Sequence, residues 1–178
     1  MTKFLYLSDP WHDALTGKGK LSNLEVINLQ HYNPIQGCNT ENPNYQTIQS
    51  RCYFFESQEL DFDAAQTNCQ GKFPEGGHLF EPTSLYINER VAQEAIAIIG
   101  AGRKWIGIHD KQVEGTFKYA SNELSLAFTP LWQANNPSNT NTRDTRATGE
   151  DCIEFGTGGQ KWNDNSCAAQ LMSVCESK

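Results

Sequence analysis

The sequence predicts a mixed α+β fold, in which two helices flank small antiparallel sheets and a long irregular loop region lies beside them. Two helical periodicities occur early in the chain and are followed by short apolar runs of strand length. A polar stretch without periodicity, residues 131–149, separates the later strands. Six cysteines, an even number, favour a fold held by disulfides.

Length and charge limit the functions that this chain can have. Its 178 residues suffice for one domain with a sizeable core, and we expect that domain at 38–178, preceded by an N-terminal extension at 1–37. The net charge of −7 opposes contact with nucleic acid. No apolar run approaches the roughly 20 residues that span a bilayer, so we expect no membrane insertion.

The extension contains two short apolar runs, residues 4–7 and 24–29, separated by a turn rich in glycine and lysine at 17–20. These runs predict a strand or a hairpin. Such a segment either covers the edge of the domain or contacts a second copy of the chain or another partner, and the sequence leaves both interpretations open.

The cysteines form neither a Cys-x-x-Cys pair nor a zinc-finger spacing. A disulfide framework needs an oxidising compartment, so we expect a secreted, extracellular protein. The first residues contain only four apolar side chains, too few for a signal peptide, and the expectation therefore includes a leader that is absent from this chain. Buried free thiols in a cytosolic protein are the alternative.

The two helices have recognisable ends. Asp61 is a good N-cap, and apolar residues at helical spacing follow it as far as Gly71, a natural stop. Thr83 or Ser84 can cap the second helix, which ends at Gly100. The apolar stripe of that helix consists of Leu85, Ala92, Ala95, Ile96 and Ile99.

Short apolar runs predict the strands. They lie at residues 53–55, 105–108, 152–155 and 171–175, and Phe117 and Tyr119 alternate in one further strand. Helices therefore come early in the chain, and strands dominate its second half.

Side chains that carry oxygen cluster around two of the later cysteines. Each lies within four positions of the cysteine at 152 or at 167: Glu150, Asp151, Asn163 and Asp164. Such oxygens suit Ca²⁺ rather than zinc. A disulfide between these two cysteines would hold the oxygens together at one end of the fold. The alternative is that residues 163–165 are only turn residues.

Six motifs occur in order: Cys-Tyr-Phe-Phe at 52–55, a first helix that ends in Cys69, Trp-Ile-Gly-Ile at 105–108, Gly-Glu-Asp-Cys at 149–152, Trp-Asn-Asp at 162–164 and Val-Cys-Glu at 174–176. With these cysteines, the chain from residue 38 to residue 175 resembles the C-type lectin-like domain in its long form. The resemblance implies three disulfides: Cys38 with Cys52, Cys69 with Cys175, and Cys152 with Cys167.

The resemblance also implies a principal Ca²⁺ site that binds glycans. In sugar-binding members, the ion is held by a Glu-Pro-Asn or Gln-Pro-Asp triplet in the long loop, by a glutamate that follows the loop, and by the Asn and Asp of Trp-Asn-Asp. Glu150, Asn163 and Asp164 match that set. Because Asn-Pro-Ser at 136–138 aligns with the triplet, the implied ligands of the ion and of the glycan also include Asn136 and Ser138.

This Asn-Pro-Ser triplet departs from the family's pattern, since it contains no carboxylate. Ca²⁺ affinity depends on the number of charged ligands, so we expect weak binding, with a dissociation constant on the order of 10⁻⁴ to 10⁻³ M. Ser138 is shorter than asparagine and has no amide donor, so a preference for mannose or galactose does not transfer. Pro137 is retained, and the bond before it is cis in the family.

Asp110 and Glu114, four positions apart, match an auxiliary ion site of the family together with Glu150 and Asp151. All four carboxylates of that site are present, which makes it better preserved than the triplet. A polar turn between strands is the alternative interpretation of residues 110–115.

The long loop carries an insertion at 139–149. Within it, Asp144 can supply the missing carboxylate, and Arg143 and Arg146 can bind a sulfated or carboxylated ligand through paired hydrogen bonds. Loop charges that contact only solvent are the alternative.

No motif of a serine hydrolase, zinc protease or phosphate-binding loop occurs, and we expect no enzyme. Two functions remain. The first is an extracellular Ca²⁺-dependent carbohydrate-binding domain, favoured by Glu150 and Trp-Asn-Asp. The second is an interaction domain of the same fold that binds a protein, matrix, mineral or ice surface, favoured by the altered triplet and the insertion.

Overall fold

The computed structural model describes residues 38–39, 41–139, 149–156 and 160–178. The chain divides into two units between residues 34 and 35, and every described residue belongs to the second unit, Ile35–Lys178. The predicted extension at 1–37 and residues 140–148 of the insertion lie outside the described residues. The domain boundary at residue 38 therefore stays a prediction.

Two helices and eight strands occur within the described ranges, and the predicted α+β class is confirmed. The helices are α1, Phe62–Gln70, and α2, Leu85–Ile99. Neither is long and apolar enough to cross a membrane, and no other helix occurs in this part of the chain. The strands are β1 Tyr45–Ile48, β2 Arg51–Leu60, β3 Gly77–Leu79, β4 Lys104–His109, β5 Lys118–Tyr119, β6 Cys152–Phe155, β7 Trp162–Asn165 and β8 Leu171–Ser177.

Both helices begin at residues that cap them. Asp61 accepts a hydrogen bond at 2.8 Å from the backbone N–H three residues later, as predicted. Ser84, rather than Thr83, caps α2, because its hydroxyl accepts at 3.3 Å from the backbone N–H of Ile87. Gly100 ends α2 with a φ of +81°, a left-handed conformation that glycine adopts without strain.

The buried face of α2 begins later than predicted. Leu85 is 44% exposed, because Cα–Cβ bonds tilt toward the helix N-terminus and the first side chain projects past the end of the helix. Ala92 and Ala95 are buried as predicted, and Ile96 and Ile99 are partly buried. The remaining buried residues of the helix are Ile87, Asn88 and Val91.

The strands form one connected sheet in the order β1-β2-β8-β4-β6-β7, with β3 paired to β8 and β5 paired to β4. The predicted antiparallel arrangement holds for every described pair but one: β4 and β8 run parallel, with Trp105 opposite Ser173. The last strand of the chain therefore lies in the middle of the sheet. It joins the β1-β2 hairpin to the strands β4, β6 and β7.

Two local interpretations are corrected. Phe117 lies outside β5, because hydrogen-bonded turns occupy residues 110–116 up to the start of that strand. The turn interpretation of residues 163–165 is wrong, because these residues pair with β6 as part of β7. Backbone pairing thus fixes the Asn and Asp of Trp-Asn-Asp on a strand.

The core consists of two clusters of buried side chains, one that includes α2 and one that includes α1. Phe55, Phe80 and Trp162 are fully buried in the first, and Phe62 and Trp105 in the second. The three implied disulfides are all present, and no described cysteine is free: Cys38–Cys52, Cys69–Cys175 and Cys152–Cys167. The second of them ties α1 to β8, and the third ties β6 to the segment after β7.

Candidate metal and ligand site

Asp164 on β7 holds the start of the long loop. Its Oδ2 atom accepts hydrogen bonds from the backbone N–H groups of Ser138 and Asn139, both at 2.6 Å. The residue is only 2% exposed, and its other oxygen, Oδ1, has no hydrogen-bond partner among the described residues. One oxygen of Asp164 therefore anchors the loop, and the other is left for a ligand.

Side chains of the triplet link this loop to the two other predicted ligands. The amide nitrogen of Asn136 donates to Oδ1 of Asn163, and the hydroxyl of Ser138 donates to Glu150 Oε2 at 3.0 Å. The Asn136–Pro137 peptide bond is cis. The structure thus brings the predicted principal ligands into one group, which we call the loop-end cluster together with Asn139: Asn136, Ser138, Asn139, Glu150, Asn163 and Asp164.

Asn136 and Ser138 act here as hydrogen-bond donors, whereas an ion ligand must offer an oxygen lone pair. A serine hydroxyl keeps its lone pairs while it donates its proton. Asn136, in contrast, must turn its amide to present its oxygen. The two triplet side chains are therefore unequal as ligands, and Ser138 needs the smaller rearrangement.

Asp110 is the centre of the predicted auxiliary site. It is 4% exposed, and its Oδ2 accepts from the backbone N–H of Gly115 at 2.8 Å, which closes the polar turn that was the alternative interpretation. Its Oδ1 has no hydrogen-bond partner in the described part of the chain. Burial raises the pKa of Asp110, and the charges of Glu114 and Asp151 raise it further, whereas the hydrogen bond from Gly115 lowers it.

Asn139 was not predicted as a site residue, yet it connects the two sites. Its amide nitrogen donates to Glu114 Oε2 at 2.6 Å, and its amide oxygen accepts from the backbone N–H of Glu150 at 2.9 Å. Gly149 makes room for it, since a Cβ atom there would collide with Asn139 Oδ1. The signal available in the sequence was its position directly after the triplet.

Trp162 fixes β7 against the rest of the fold. It is fully buried, and its ring N–H donates to Asn88 Oδ1 on α2 at 2.8 Å. Its backbone N–H donates to the carbonyl of Leu131 at 2.7 Å, and its carbonyl accepts from Gln133 at 2.8 Å. The beginning of the long loop is therefore attached to the strand that carries Asn163 and Asp164.

Glu154 is a further residue that was not predicted as part of the site. It lies on β6 with no exposed surface and accepts hydrogen bonds from the side chains of Asn163 and Asn165, at 3.2 and 3.1 Å. Burial raises its pKa to about 7, while these two amides and Arg103 oppose that rise. The signal was a charged residue inside the apolar run Cys-Ile-Glu-Phe at 152–155.

A second acidic group lies elsewhere in the fold, at the ends of β3 and β8. His78, Glu81 and Glu176 place three potential ligand atoms within 4.8 Å of one another. Glu176 also pairs with Arg51 at 3.2 Å. We call Glu81 and Glu176 the buried carboxylate pair, since they are 6% and 1% exposed.

A family model described as the lectin C-type domain matches residues 58–177, which include every residue of the loop-end cluster. The chain is 31% identical to collectin-11 of Danio rerio over 127 residues, covering 71% of this chain and 42% of that protein. It is 24% identical to a hepatic lectin of Gallus gallus over 141 residues, covering 78% and 60%. The chain thus spans about half the length of these curated relatives.

The fold also matches solved structures. The C-type lectin CEL-I of Cucumaria echinata superposes with a TM-score of 0.65 at 26% sequence identity. The match covers 78% of this chain and 97% of that one. Nearly the whole of that smaller protein therefore corresponds to the domain described above.

Proposed function

Because the chain belongs to the C-type lectin domain family, we propose that it is an extracellular domain that binds carbohydrate through a Ca²⁺ ion. The family consists of binding domains rather than enzymes. The observation that carries the proposal is Oδ1 of Asp164, a buried carboxylate oxygen without a hydrogen-bond partner in the described residues. Such an atom is costly to bury unless a cation or a donor satisfies it.

The donor set fits a hard divalent cation. Glu150 and Asp164 would hold the ion with two carboxylates, together with the neutral oxygens of Asn163, Ser138 and Asn136. Oxygen ligands of this kind suit Ca²⁺, and two charges among five ligands correspond to weak binding, on the order of 10⁻⁴ to 10⁻³ M. When bound, the ion supplies positive charge and open coordination positions for sugar hydroxyls.

The side chains around the ion would select hydroxyls by hydrogen bonding. Both donor hydrogens of the Asn163 amide are directed to Glu154 and to the carbonyl of Asp164, so only its oxygen faces the loop. An ionised carboxylate such as that of Glu150 is an acceptor and not a donor. The cluster is therefore rich in acceptors, and we expect the sugar hydroxyls to donate to it.

The auxiliary group would hold a second ion. Asp110 has an unsatisfied buried oxygen, and Glu114 and Asp151 contribute negative charge beside it. Asn139 links this group to Glu150 and Asp164, so occupancy of the two sites would be coupled through the loop. Burial and the two neighbouring charges raise the pKa of Asp110, and the positive charge of a second ion would oppose that rise.

Calorimetric titration of Ca²⁺ into wild type and Asp164→Asn tests the proposal. The asparagine keeps an oxygen for the backbone N–H groups of the loop but removes the charge and the free carboxylate oxygen. We expect millimolar binding to wild type and none to the variant. Asp63→Asn is the control, since Asp63 lies on α1 outside the site and is an exposed carboxylate that pairs with Lys111.

A glycan array with and without chelator then identifies the ligand class. Chelator-sensitive glycan binding by wild type supports the proposal. Absence of any heat at millimolar Ca²⁺, together with an array that shows no chelator-sensitive signal, would exclude it.

One observation favours the second candidate, an interaction domain that binds a protein or another surface without Ca²⁺. The side chains of Asn136 and Ser138 donate hydrogen bonds to Asn163 and Glu150, so the loop is connected to these residues without an ion. This candidate requires that the folded loop and the binding of the partner be unaffected by chelator. The same pair of experiments therefore separates the two functions.

A further inference from the structure

Glu154 lies behind the loop-end cluster and contacts one of its members. It occupies the register position opposite Asn163 in the β6–β7 pair, with no exposed surface. Its hydrogen-bond partners are two asparagine amides, those of Asn163 and Asn165, and a guanidinium nitrogen of Arg103 lies 3.7 Å from its Oε1 atom. In its ionised form, a carboxylate at this place accepts hydrogen bonds and donates none.

The orientation of the Asn163 amide depends on that contact. The oxygen and the NH₂ group of an asparagine are nearly equal in shape, so the surrounding hydrogen bonds decide which of them faces which way. Here Nδ2 donates to Glu154 Oε1 at 3.2 Å and to the carbonyl of Asp164 at 2.6 Å. Both hydrogens are thereby directed away from the loop, and Oδ1 faces Asn136.

We propose that Glu154 is a positioning residue that turns the oxygen of Asn163 toward the loop-end cluster and so makes this neutral residue competent to bind a cation. The inference rests on the proposed function and adds a residue to it. With the amide reversed, Asn163 would present two hydrogens to the ion, which repel it. Outer partners that orient ligands commonly change metal affinity by about 10- to 100-fold when they are removed.

Glu154→Gln is the direct test. A glutamine brings its own NH₂ group and can accept from only one of the two asparagines, so the Asn163 amide loses its fixed orientation. We expect Ca²⁺ affinity, measured by calorimetry, to fall by about tenfold. Glu56→Gln is the matched control, because Glu56 is a buried carboxylate that accepts from an asparagine, Asn68, at 2.9 Å outside the site.

A reciprocal exchange provides the rescue. In the double variant Glu154→Gln with Asn163→Asp, the glutamine NH₂ donates to the new carboxylate and its oxygen accepts from Asn165. The aspartate then presents an oxygen to the cluster without needing to be oriented. The added carboxylate raises Ca²⁺ affinity by itself, so the single variant Asn163→Asp is the reference for this cycle. We expect that Glu154→Gln does not lower Ca²⁺ affinity in the Asn163→Asp background, whereas general damage to the β6–β7 pair would lower it in both backgrounds.

A measurement in chelator tests the orientation without the ion. Side-chain amide NMR signals of Asn163 should show two hydrogen-bonded, slowly exchanging protons in wild type and lose that protection in Glu154→Gln. Equal Ca²⁺ affinities of wild type and Glu154→Gln would overturn the positioning role alone. Lack of Ca²⁺ binding by wild type would overturn the proposed function and the positioning role with it.

Discussion

The buried carboxylate pair and the carboxylate of Asp164 are similarly inaccessible, but their oxygens are used differently. Glu81 accepts from the backbone N–H and the hydroxyl of Ser121, at 2.6 and 2.8 Å. Glu176 accepts from the backbone N–H of Glu81 at 3.0 Å and from Arg51 at 3.2 Å. Asp164, in contrast, keeps one oxygen without a hydrogen-bond partner among the described residues.

The histidine beside the pair supports this distinction. Nδ1 of His78 lies 2.8 Å from the carbonyl oxygen of Leu79, a distance at which the nitrogen donates a proton and does not offer a lone pair. Proximity of acidic groups is therefore a poor indicator of a ligand site. The better indicator is a buried oxygen whose hydrogen bonding the protein leaves incomplete.

Removing a disulfide gives the largest expected effects on stability. Cys69–Cys175 lies beside the buried carboxylate pair, and Cys152–Cys167 lies beside the loop-end cluster. Cys69–Cys175 spans 106 positions, so Cys69→Ser with Cys175→Ser should lower the free energy of unfolding by about 4.7 kcal/mol without changing Ca²⁺ affinity of the folded protein. Cys152–Cys167 spans 15 positions, and opening it should cost about 3 kcal/mol. Urea denaturation measures both values.

Only the second of these double variants should also weaken Ca²⁺ binding, because its disulfide joins β6 to the segment after β7. Calorimetry on both variants, at a temperature where each is folded, checks this expectation. Equal losses of Ca²⁺ affinity in the two variants would contradict the separation of the two regions.

Adding a charged ligand to the loop-end cluster should strengthen its binding of Ca²⁺. Asn136→Glu supplies the carboxylate that the triplet lacks, and Ca²⁺ affinity should rise by about tenfold because it follows the number of charged ligands. Asn136→Gln is the control of equal length without charge. A glutamate variant that binds no better than the glutamine variant would show that Asn136 does not face the ion.

The buried carboxylate pair should make stability depend on pH in an unusual direction. Burial raises the pKa of both Glu81 and Glu176. A folded-state pKa above the unfolded value, near 4.5, means that the folded protein holds the proton more tightly. The stability from these groups is therefore complete below pH 4.5 and is lost as pH rises through the raised pKa.

Glu81→Gln isolates this effect, since glutamine can still accept from the backbone N–H of Ser121 and donate to its hydroxyl. The free energy of unfolding of wild type minus that of the variant should fall as the pH rises from 4.5 to 7. Glu56→Gln gives the opposite sign. Burial alone would raise the pKa of Glu56, but the hydrogen bond from Lys72 and its other hydrogen bonds lower it overall.

The smallest effect concerns the neutral ligand. Ser138→Ala removes a hydroxyl that donates to Glu150. It leaves the backbone N–H of residue 138, through which Asp164 holds the loop. Because the lost ligand is uncharged, Ca²⁺ affinity should fall by only about threefold. A loss as large as that of Asp164→Asn would mean that the serine hydroxyl holds the loop together, and thermal unfolding in chelator would then shift as well.

Local patterns in the sequence were sufficient for much of the fold. The cap at Asp61, the end at Gly100 and the cysteine framework could be predicted because each depends on residues close together in the chain or on a motif order. Glu150, Asn163 and Asp164 could be proposed for the same reason. Their side chains lie within a short segment around one disulfide.

Only the tertiary structure decided which polar groups are satisfied. Asn139 reaches Glu114 across 25 positions, and Glu176 is hydrogen-bonded to a backbone N–H 95 positions away. Glu154 became a candidate only when the β6–β7 register placed it opposite Asn163. The sequence by itself determined which oxygens are available, whereas long-range packing determined which of them remain free to bind, because hydrogen bonding is completed by neighbours that the chain brings together only on folding.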